Sequence, residues 1–120
     1  MPHFRVETNV PHDKIPADLP AKLCHILAKS LGKPIDYCCA TVIGGAKMAW
    51  GGKDEPAAQA TLMSIGCLGV EENKEHAKEL YECITQELGV PANRMYIFFQ
   101  NATRSDVGYN GTTFHEIFGR

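Results

Sequence analysis

The second residue, Pro2, is the first candidate for chemistry in this sequence. Methionine aminopeptidase removes an initiator methionine when the next residue is small, and proline meets that requirement. Removal of Met1 would convert the amide nitrogen of Pro2 into a secondary amine. An exposed α-amino group titrates at about 7.7–8.0, and burial or a nearby cation lowers that pKa, as a general base at neutral pH requires. Pro2 is a candidate base, and the spacing leaves open the alternative of an ordinary second residue.

A cation is predicted to lie beside Pro2. A helix of about 18 residues is about as long as a strand of about eight residues, so the helix returns the chain to the end of the sheet where its strand began. Lys33 follows the first predicted helix and is carried back to the start of the first strand. Its ammonium group could bind a substrate carboxylate there. The alternative is a cation that interacts only with the helix dipole.

A strand and a helix are predicted to position these two residues. A strand is predicted near the N-terminus, because Phe4, Val6, Thr8 and Val10 alternate with polar residues, which is the period of a half-buried strand. Helical spacing after Pro16 predicts a helix that ends at Gly32 and has its apolar positions at Leu19, Leu23, Ile26, Leu27 and Leu31. An apolar run from Cys38 to Ile43 completes a strand–helix–strand unit.

The second half of the chain repeats this order. Leu31–Pro34 (Leu-Gly-Lys-Pro) matches Leu88–Pro91 (Leu-Gly-Val-Pro) at an offset close to half the chain. A strand near residues 58–67, a helix near 71–88 and a strand at 95–100 are predicted there. We interpret residues 1–120 as a single domain with an internal repeat of approximately 2–44 and 58–101 and a C-terminal extension, 115–120. Right-handed crossovers predict an α+β fold with a four-stranded mixed sheet and both helices on one face.

The other face of this sheet lacks a cover. The runs Cys38–Ile43 and Met95–Phe99 are apolar at both odd and even positions, which is typical of strands buried on two faces. With two helices available, the expected cover is a second copy of the chain, so the sequence predicts a closed homo-oligomer. Trp50, in a glycine-rich loop, is expected to pack against that oligomer.

Composition excludes several classes of function. The 120 residues carry a formal net charge of −2 and no long run of like charge, which argues against nucleic-acid binding. No apolar stretch is long enough for membrane insertion or a signal peptide, so synthesis in the cytoplasm is expected.

The 5 cysteines lack a C-x-x-C pair, and we interpret them as reduced, mostly buried thiols. The 5 histidines lack metal-ligand spacing, so surface or capping roles, no metal and no cofactor are expected.

A series of motifs in fixed order is similar to one known family. They are Met1-Pro2-x-Phe4, Thr8-Asn9-Val10-Pro11, Leu31-Gly32-Lys33-Pro34, Met48-Ala49-x-Gly51-Gly52, Glu55-Pro56, Ser64-Ile65-Gly66, Arg94-x-Tyr96-Ile97, Val107-Gly108 and Thr113-Phe114. From the first residue to about Phe114, the chain resembles the macrophage migration inhibitory factor family, which includes D-dopachrome tautomerase. The resemblance implies a homotrimer whose three sheets enclose a central channel.

The resemblance also implies a site. Pro2 would be the base of a cofactor-independent keto-enol tautomerase acting on phenylpyruvate or dopachrome derivatives, that is, on a small aromatic keto or enol acid. Lys33 would hold the substrate carboxylate, and the backbone N–H of Ile65 would add a hydrogen bond. The side chain of Tyr96 would come from a neighbouring subunit. An apolar pocket around the substrate ring would be lined by Tyr37, Val107 and Phe114.

Several positions depart from the pattern of the vertebrate factor. Phe98 stands in place of an asparagine that binds substrate, and Tyr109 in place of a tryptophan at the pocket rim, so we expect a more apolar pocket. Residues 57–60 replace the C-x-x-C pair of that factor, and no oxidoreductase role is expected. The extension beyond residue 114 contains Ile117 and Phe118, which either pack on a neighbouring subunit or hang free.

Two functions of different classes are compatible with the resemblance. One is the tautomerase, an isomerase with Pro2 as general base. The other is a cytokine-like ligand in innate immunity and inflammation that binds a cell-surface receptor, with a conserved or vestigial pocket. The second role requires secretion by a route that needs no signal peptide.

Overall fold

The four predicted strands form one mixed sheet. The structure, a computed structural model, describes residues 1–118. The strands are β1 (Pro2–Thr8), β2 (Cys39–Ile43), β3 (Ala58–Ser64) and β4 (Met95–Asn101). Their order across the sheet is β2-β1-β3-β4, with β1 parallel to β2, β3 parallel to β4, and the two inner strands antiparallel. Each strand–helix–strand unit thus supplies one parallel pair.

Two long helices connect the parallel pairs. They are α1 (Leu19–Leu31) and α2 (Val70–Leu88). Each is followed by a glycine in the left-handed region, Gly32 with φ 65° and Gly89 with φ 70°, a conformation that glycine adopts without steric cost. A proline two residues later prevents the helix from continuing. The repeated sequence motif is therefore a repeated helix end that directs the chain into the next strand.

Both helices pack on the same face of the sheet. Leucines four residues apart form the buried stripe of α1, and Leu80, Ile84 and Leu88 form that of α2. They enclose a core with the alternate residues of the inner strands, including Phe4, Val6, Ala58, Ala60 and Leu62. The predicted α+β fold is confirmed.

The second face of the sheet is covered by neither helix. Tyr96 and Phe98 of β4 are 58% and 51% exposed there. Arg5 and Glu7 of β1 lie on the same face and form an ion pair at 3.3 Å. On this face the exposed aromatic side chains lie on the edge strand β4, while Arg5 and Glu7 of the inner strand β1 are charged, a distribution that the apolar runs alone did not reveal.

Short elements fill the remaining connections. One-turn 3-10 helices occur at His12–Lys14, Ile35–Tyr37, Ala92–Arg94 and Arg104–Asp106. Near the C-terminus, β5 (Gly108–Tyr109) pairs with β6 (Thr112–Thr113), and a single helical turn, α3 (Phe114–Ile117), follows. Residues 119 and 120 of the predicted extension lie outside the described residues.

Three expectations differ from the structure. The third strand ends at Ser64, earlier than predicted, because Gly66 and Cys67 both adopt positive φ, 75° and 62°, which no extended strand accommodates. His76 is 2% exposed, and its ring nitrogens contact Ser30 Oγ at 2.6 Å and the carbonyl of Cys67 at 2.8 Å, so it is a buried bridge and not a surface residue. The thiols are free, but none is fully buried: Cys39 and Cys67 are exposed, and the others are half-buried.

Candidate functional site at the start of the first strand

Three segments of the chain meet at one end of the sheet. The carbonyl of Met1 accepts a hydrogen bond from the N–H of Ile65 at 3.4 Å, which fixes the start of β1 against the end of β3. Lys33 Nζ donates to the carbonyl of Ile65 at 3.2 Å. The helix α1 therefore does return Lys33 to the beginning of β1, and Pro2, Lys33 and Ile65 lie in one neighbourhood.

This neighbourhood disfavours a positive charge on an amine. Burial lowers the pKa of the Met1 amine, and the Lys33 cation lowers it further. The thiol groups of Cys38 and Cys67 act weakly in the opposite direction. An amine at this end of the sheet is consequently biased toward its neutral, proton-accepting form.

A cavity of about 340 Å³ opens beside Pro2. Its volume lies within the range of about 300–1,000 Å³ typical of small-molecule sites. The described residues that line it are Met1, Pro2, His3, Asp36, Tyr37, Cys38, Cys39, Val107, Gly108, Tyr109 and Phe114. The structure thus places four of the predicted pocket residues, Tyr37, Val107, Tyr109 and Phe114, at one cavity with Pro2.

Aromatic rings form one wall of this cavity. Tyr109 stacks on Phe114 with ring centroids 5.3 Å apart and planes 13° from parallel. The ring of Tyr37 meets both edge-on, at 5.3 Å and 5.8 Å. Edge-to-face and offset-stacked pairs are the favourable aromatic geometries, so the wall is a packed unit that presents an apolar surface.

The other two predicted pocket residues lie elsewhere in the chain. In the sheet register Tyr96 pairs with Gln59, whereas Pro2 pairs with Ser64 five residues further along β3. At about 3.3 Å per residue, this places Tyr96 about 17 Å from Pro2 along the strands, and Phe98 lies on the same distant strand. A single chain does not assemble all the predicted site residues, and a site that includes Tyr96 requires a second copy.

Tyr96 instead has a partner within its own chain. Trp50 packs on it with ring centroids 4.4 Å apart. Arg94 holds the Trp50 loop by donating to the carbonyls of Pro56 at 2.8 Å and Glu55 at 2.9 Å. Sequence reasoning missed this role of Arg94, because only the short spacing to Tyr96 was visible and not the loop that the guanidinium binds.

Ser64 is a second residue whose environment the sequence did not reveal. Its side chain is fully buried, and among the described residues its Oγ has no hydrogen-bond partner. Ser64 lies opposite Pro2 in the sheet. A buried hydroxyl without a partner costs about 1–3 kcal/mol.

Other candidate sites are weaker. Two depressions between α1 and α2, of about 360 and 390 Å³, are lined largely by exposed charged side chains such as Glu79 and Lys29. Within residues 1–118, no three His, Cys, Asp or Glu side chains are arranged to hold a metal ion. In the same part of the chain, no helix has the length and apolarity that a membrane span needs.

Fold and site together define a class of protein. It has two β-α-β units in one mixed sheet, with a small-molecule cavity at the start of the first strand. The family model described as "Macrophage migration inhibitory factor (MIF)" matches residues 1–115. The chain therefore belongs to the macrophage migration inhibitory factor family, part of the tautomerase superfamily.

Individual relatives agree with this membership over almost the whole chain. The macrophage migration inhibitory factor homolog of Trichuris trichiura is 44% identical over 114 residues, covering 95% of this chain and 100% of the relative. That of Brugia malayi is 41% identical, covering 95% and 99%. The solved structure of the factor from Trichinella spiralis has a TM-score of 0.90 and 36% identity, covering 92% of this chain and 98% of the other.

Proposed function

We propose that this protein is a cofactor-independent keto-enol tautomerase with Pro2 as its general base. The observation that carries the proposal is the convergence of three features at one end of the sheet. These are an amine position where burial and Lys33 lower the pKa, the Lys33 cation itself, and a cavity with an aromatic wall. Such a site suits a small aromatic keto or enol acid of the phenylpyruvate or dopachrome type.

Removal of Met1 is the first step that this function requires. While Met1 is attached, the nitrogen of Pro2 is an amide and cannot accept a proton. The Met1 carbonyl also occupies the N–H of Ile65. Cleavage of the Met1–Pro2 bond therefore creates a basic secondary amine and releases a backbone donor a few ångströms away.

The proton transfer then needs no cofactor. The Pro2 amine takes the proton from the carbon next to the substrate carbonyl, and the electrons of that C–H bond form a carbon–carbon double bond. The π electrons of the carbonyl move to its oxygen, and the protonated Pro2 amine then gives its proton to that oxygen. Lys33 binds the carboxylate through its ammonium group, and the Ile65 N–H donates a further hydrogen bond. The rings of Tyr37, Tyr109 and Phe114 surround the substrate ring.

The active assembly in this proposal is a homotrimer of a single domain spanning residues 1–120. The exposed edge-strand side chains Tyr96 and Phe98 support it, because a single chain leaves them uncovered and far from Pro2. A neighbouring copy brings Tyr96 and Phe98 to the cavity. Sedimentation at micromolar concentration tests this, and a stable monomer with full turnover would contradict it.

Turnover of phenylpyruvate by the protein without Met1 tests the base. Pro2→Gly is the matched variant, because glycine also permits removal of Met1 but supplies a less constrained primary amine. Intact mass spectrometry verifies the loss of Met1 in both proteins. We expect a large loss of kcat in Pro2→Gly and no turnover by protein that retains Met1. Equal rates of phenylpyruvate turnover by the processed wild type and Pro2→Gly would contradict the assignment of Pro2 as the general base.

A second role is supported by the names of the relatives, which describe macrophage migration inhibitory factors. We propose that the chain also acts outside the cell as a signalling ligand for a cell-surface receptor. A cell-migration assay on the Pro2→Gly trimer separates the roles. If Pro2→Gly loses turnover but still signals, the signalling role belongs to the protein surface and not to the catalytic site. If signalling is lost together with turnover, the two roles are not separate.

A further inference from the structure

Phe118, in the C-terminal extension, contacts the aromatic wall of the cavity from outside the family match. The family model ends at residue 115, and the similar relatives align over 114 residues. The short helix α3 nevertheless continues to Ile117, and the N–H of Phe118 donates to the carbonyl of Phe114 at 2.9 Å. This turn folds the extension back onto its own chain.

The ring of Phe118 completes a four-ring cluster. It stacks on Phe114 with centroids 5.2 Å apart and planes 11° from parallel. Tyr109 also stacks on Phe114, with planes at 13°, so Phe114 has a stacked partner both within the cavity lining and in the extension. Tyr37 meets Phe118 edge-on at 6.1 Å. Phe118 therefore contacts Tyr37 and Phe114, two rings that line the cavity.

The exposure of the Phe118 side chain bears on its role. Phe118 is 52% exposed, whereas Phe114, on which it stacks, is fully buried. Because Phe118 is half exposed, packing into the hydrophobic core does not explain why a phenylalanine stands at this position. Its contacts with the rings of Tyr37 and Phe114 offer an explanation. Tyr37 belongs to a one-turn 3-10 helix and not to a strand, so its ring position depends on side-chain packing.

We propose that Phe118 is a positioning residue that holds the rings of Tyr37 and Phe114 and thereby sets the preference of the cavity for a planar aromatic substrate. The proposal rests on the proposed tautomerase function. The C-terminal extension is then a specificity element that lies beyond the residues matched by the family model. Ile117 is next to Phe118 and is 38% exposed. Its side chain is not aromatic, so a substitution at Ile117 is the matched control for a substitution at Phe118.

Steady-state kinetics of Phe118→Ala, Phe118→Tyr and Ile117→Ala test the proposal. Loss of the contacts of Phe118 with Phe114 and Tyr37 is expected to raise the KM for phenylpyruvate about fivefold, which corresponds to about 1 kcal/mol. The value of kcat and the KM for an aliphatic 2-keto acid stay unchanged, Phe118→Tyr restores the wild-type KM, and Ile117→Ala behaves as wild type. An unchanged KM in Phe118→Ala, or an equal rise for both substrates, overturns the proposal.

A binding measurement separates this proposal from the tautomerase itself. The probe is 3-phenylpropionate, an unreactive aromatic acid, titrated by calorimetry into the protein without Met1. If the wild type binds the probe without turning over phenylpyruvate, the tautomerase proposal fails, and weaker binding by Phe118→Ala still supports the positioning role. If the wild type does not bind the probe, or if Phe118→Ala changes only the sedimentation of the trimer, the positioning role is refuted.

Discussion

Substitution of Lys33 by methionine tests two consequences of the site at once. Methionine keeps an unbranched apolar side chain of similar length but removes the ammonium group. We expect the KM for phenylpyruvate to rise, because the substrate carboxylate loses its cation. We also expect the acid limb of kcat/KM to move to higher pH, because the Lys33 cation is one of the two causes that lower the pKa of an amine at this end of the sheet.

The magnitude follows from the contacts of Lys33. An ammonium group has three donors, and one of them is held by the carbonyl of Ile65 at 3.2 Å. In the proposed complex, the other two donors bind the substrate carboxylate. A hydrogen bond to a charged group contributes about 1.5–3 kcal/mol, so kcat/KM for phenylpyruvate falls about 10- to 150-fold.

The direction of the pH effect is set by the protonation state of the base. Pro2 works as the neutral amine, so activity is lost as pH falls through the pKa of that amine. Without the Lys33 cation, the ammonium form is less disfavoured and the pKa rises, and the loss begins at higher pH. Lys33→Arg keeps the charge, and we expect it to keep the wild-type acid limb.

The assay is the pH dependence of phenylpyruvate turnover by proteins whose loss of Met1 has been verified by mass. Lys29→Met is the matched control, because it removes the same charge from the exposed side of α1. A Lys33→Met enzyme with unchanged KM and an unchanged acid limb would refute both the carboxylate contact and the electrostatic argument. An identical shift in Lys29→Met would show that net charge, and not position, is responsible.

Three further substitutions test buried side chains and the Trp50 loop. Thr8→Val breaks the bond to the carbonyl of Ala57 at 2.7 Å and should lower the free energy of unfolding by about 1–3 kcal/mol in urea titrations. Ser64→Ala should not lower it, because no bond is broken; a loss as large as that of Thr8→Val would contradict the environment described. Arg94→Met should release the loop and red-shift the emission of Trp50, the sole tryptophan, at an expected stability cost of about 1–3 kcal/mol. An unchanged emission spectrum would show that other contacts hold the loop.

Local patterns in the sequence were sufficient for the main elements. Leucines at helical spacing and a glycine after the last turn predicted α1, and the structure has it at Leu19–Leu31. Alternation predicted β1, with Phe4 and Val6 buried. Even the approach of Lys33 to Pro2 followed from element lengths, because a helix and a strand of comparable length must bring the chain back to the same end of a sheet.

Positions that depend on distant partners were not predictable in the same way. Local periodicity does not show that the hydroxyl of Ser64 lacks a hydrogen-bond partner among the described residues. Nor does it show that His76 of α2 is buried against Ser30 of α1. The stacking of Phe118 on Phe114 was also hidden, since the sequence left the extension either packed on a neighbour or free.

The sequence by itself determined the elements, the family and the chemical types available at the site. The tertiary structure decided which of them meet. It joins Tyr37, Tyr109 and Phe114 around a cavity beside Pro2, and it holds Tyr96 about five residues away along the sheet. The physical reason is that periodicity reports the surroundings of each residue along its own element, whereas contacts between elements depend on strand register and on the course of the loops.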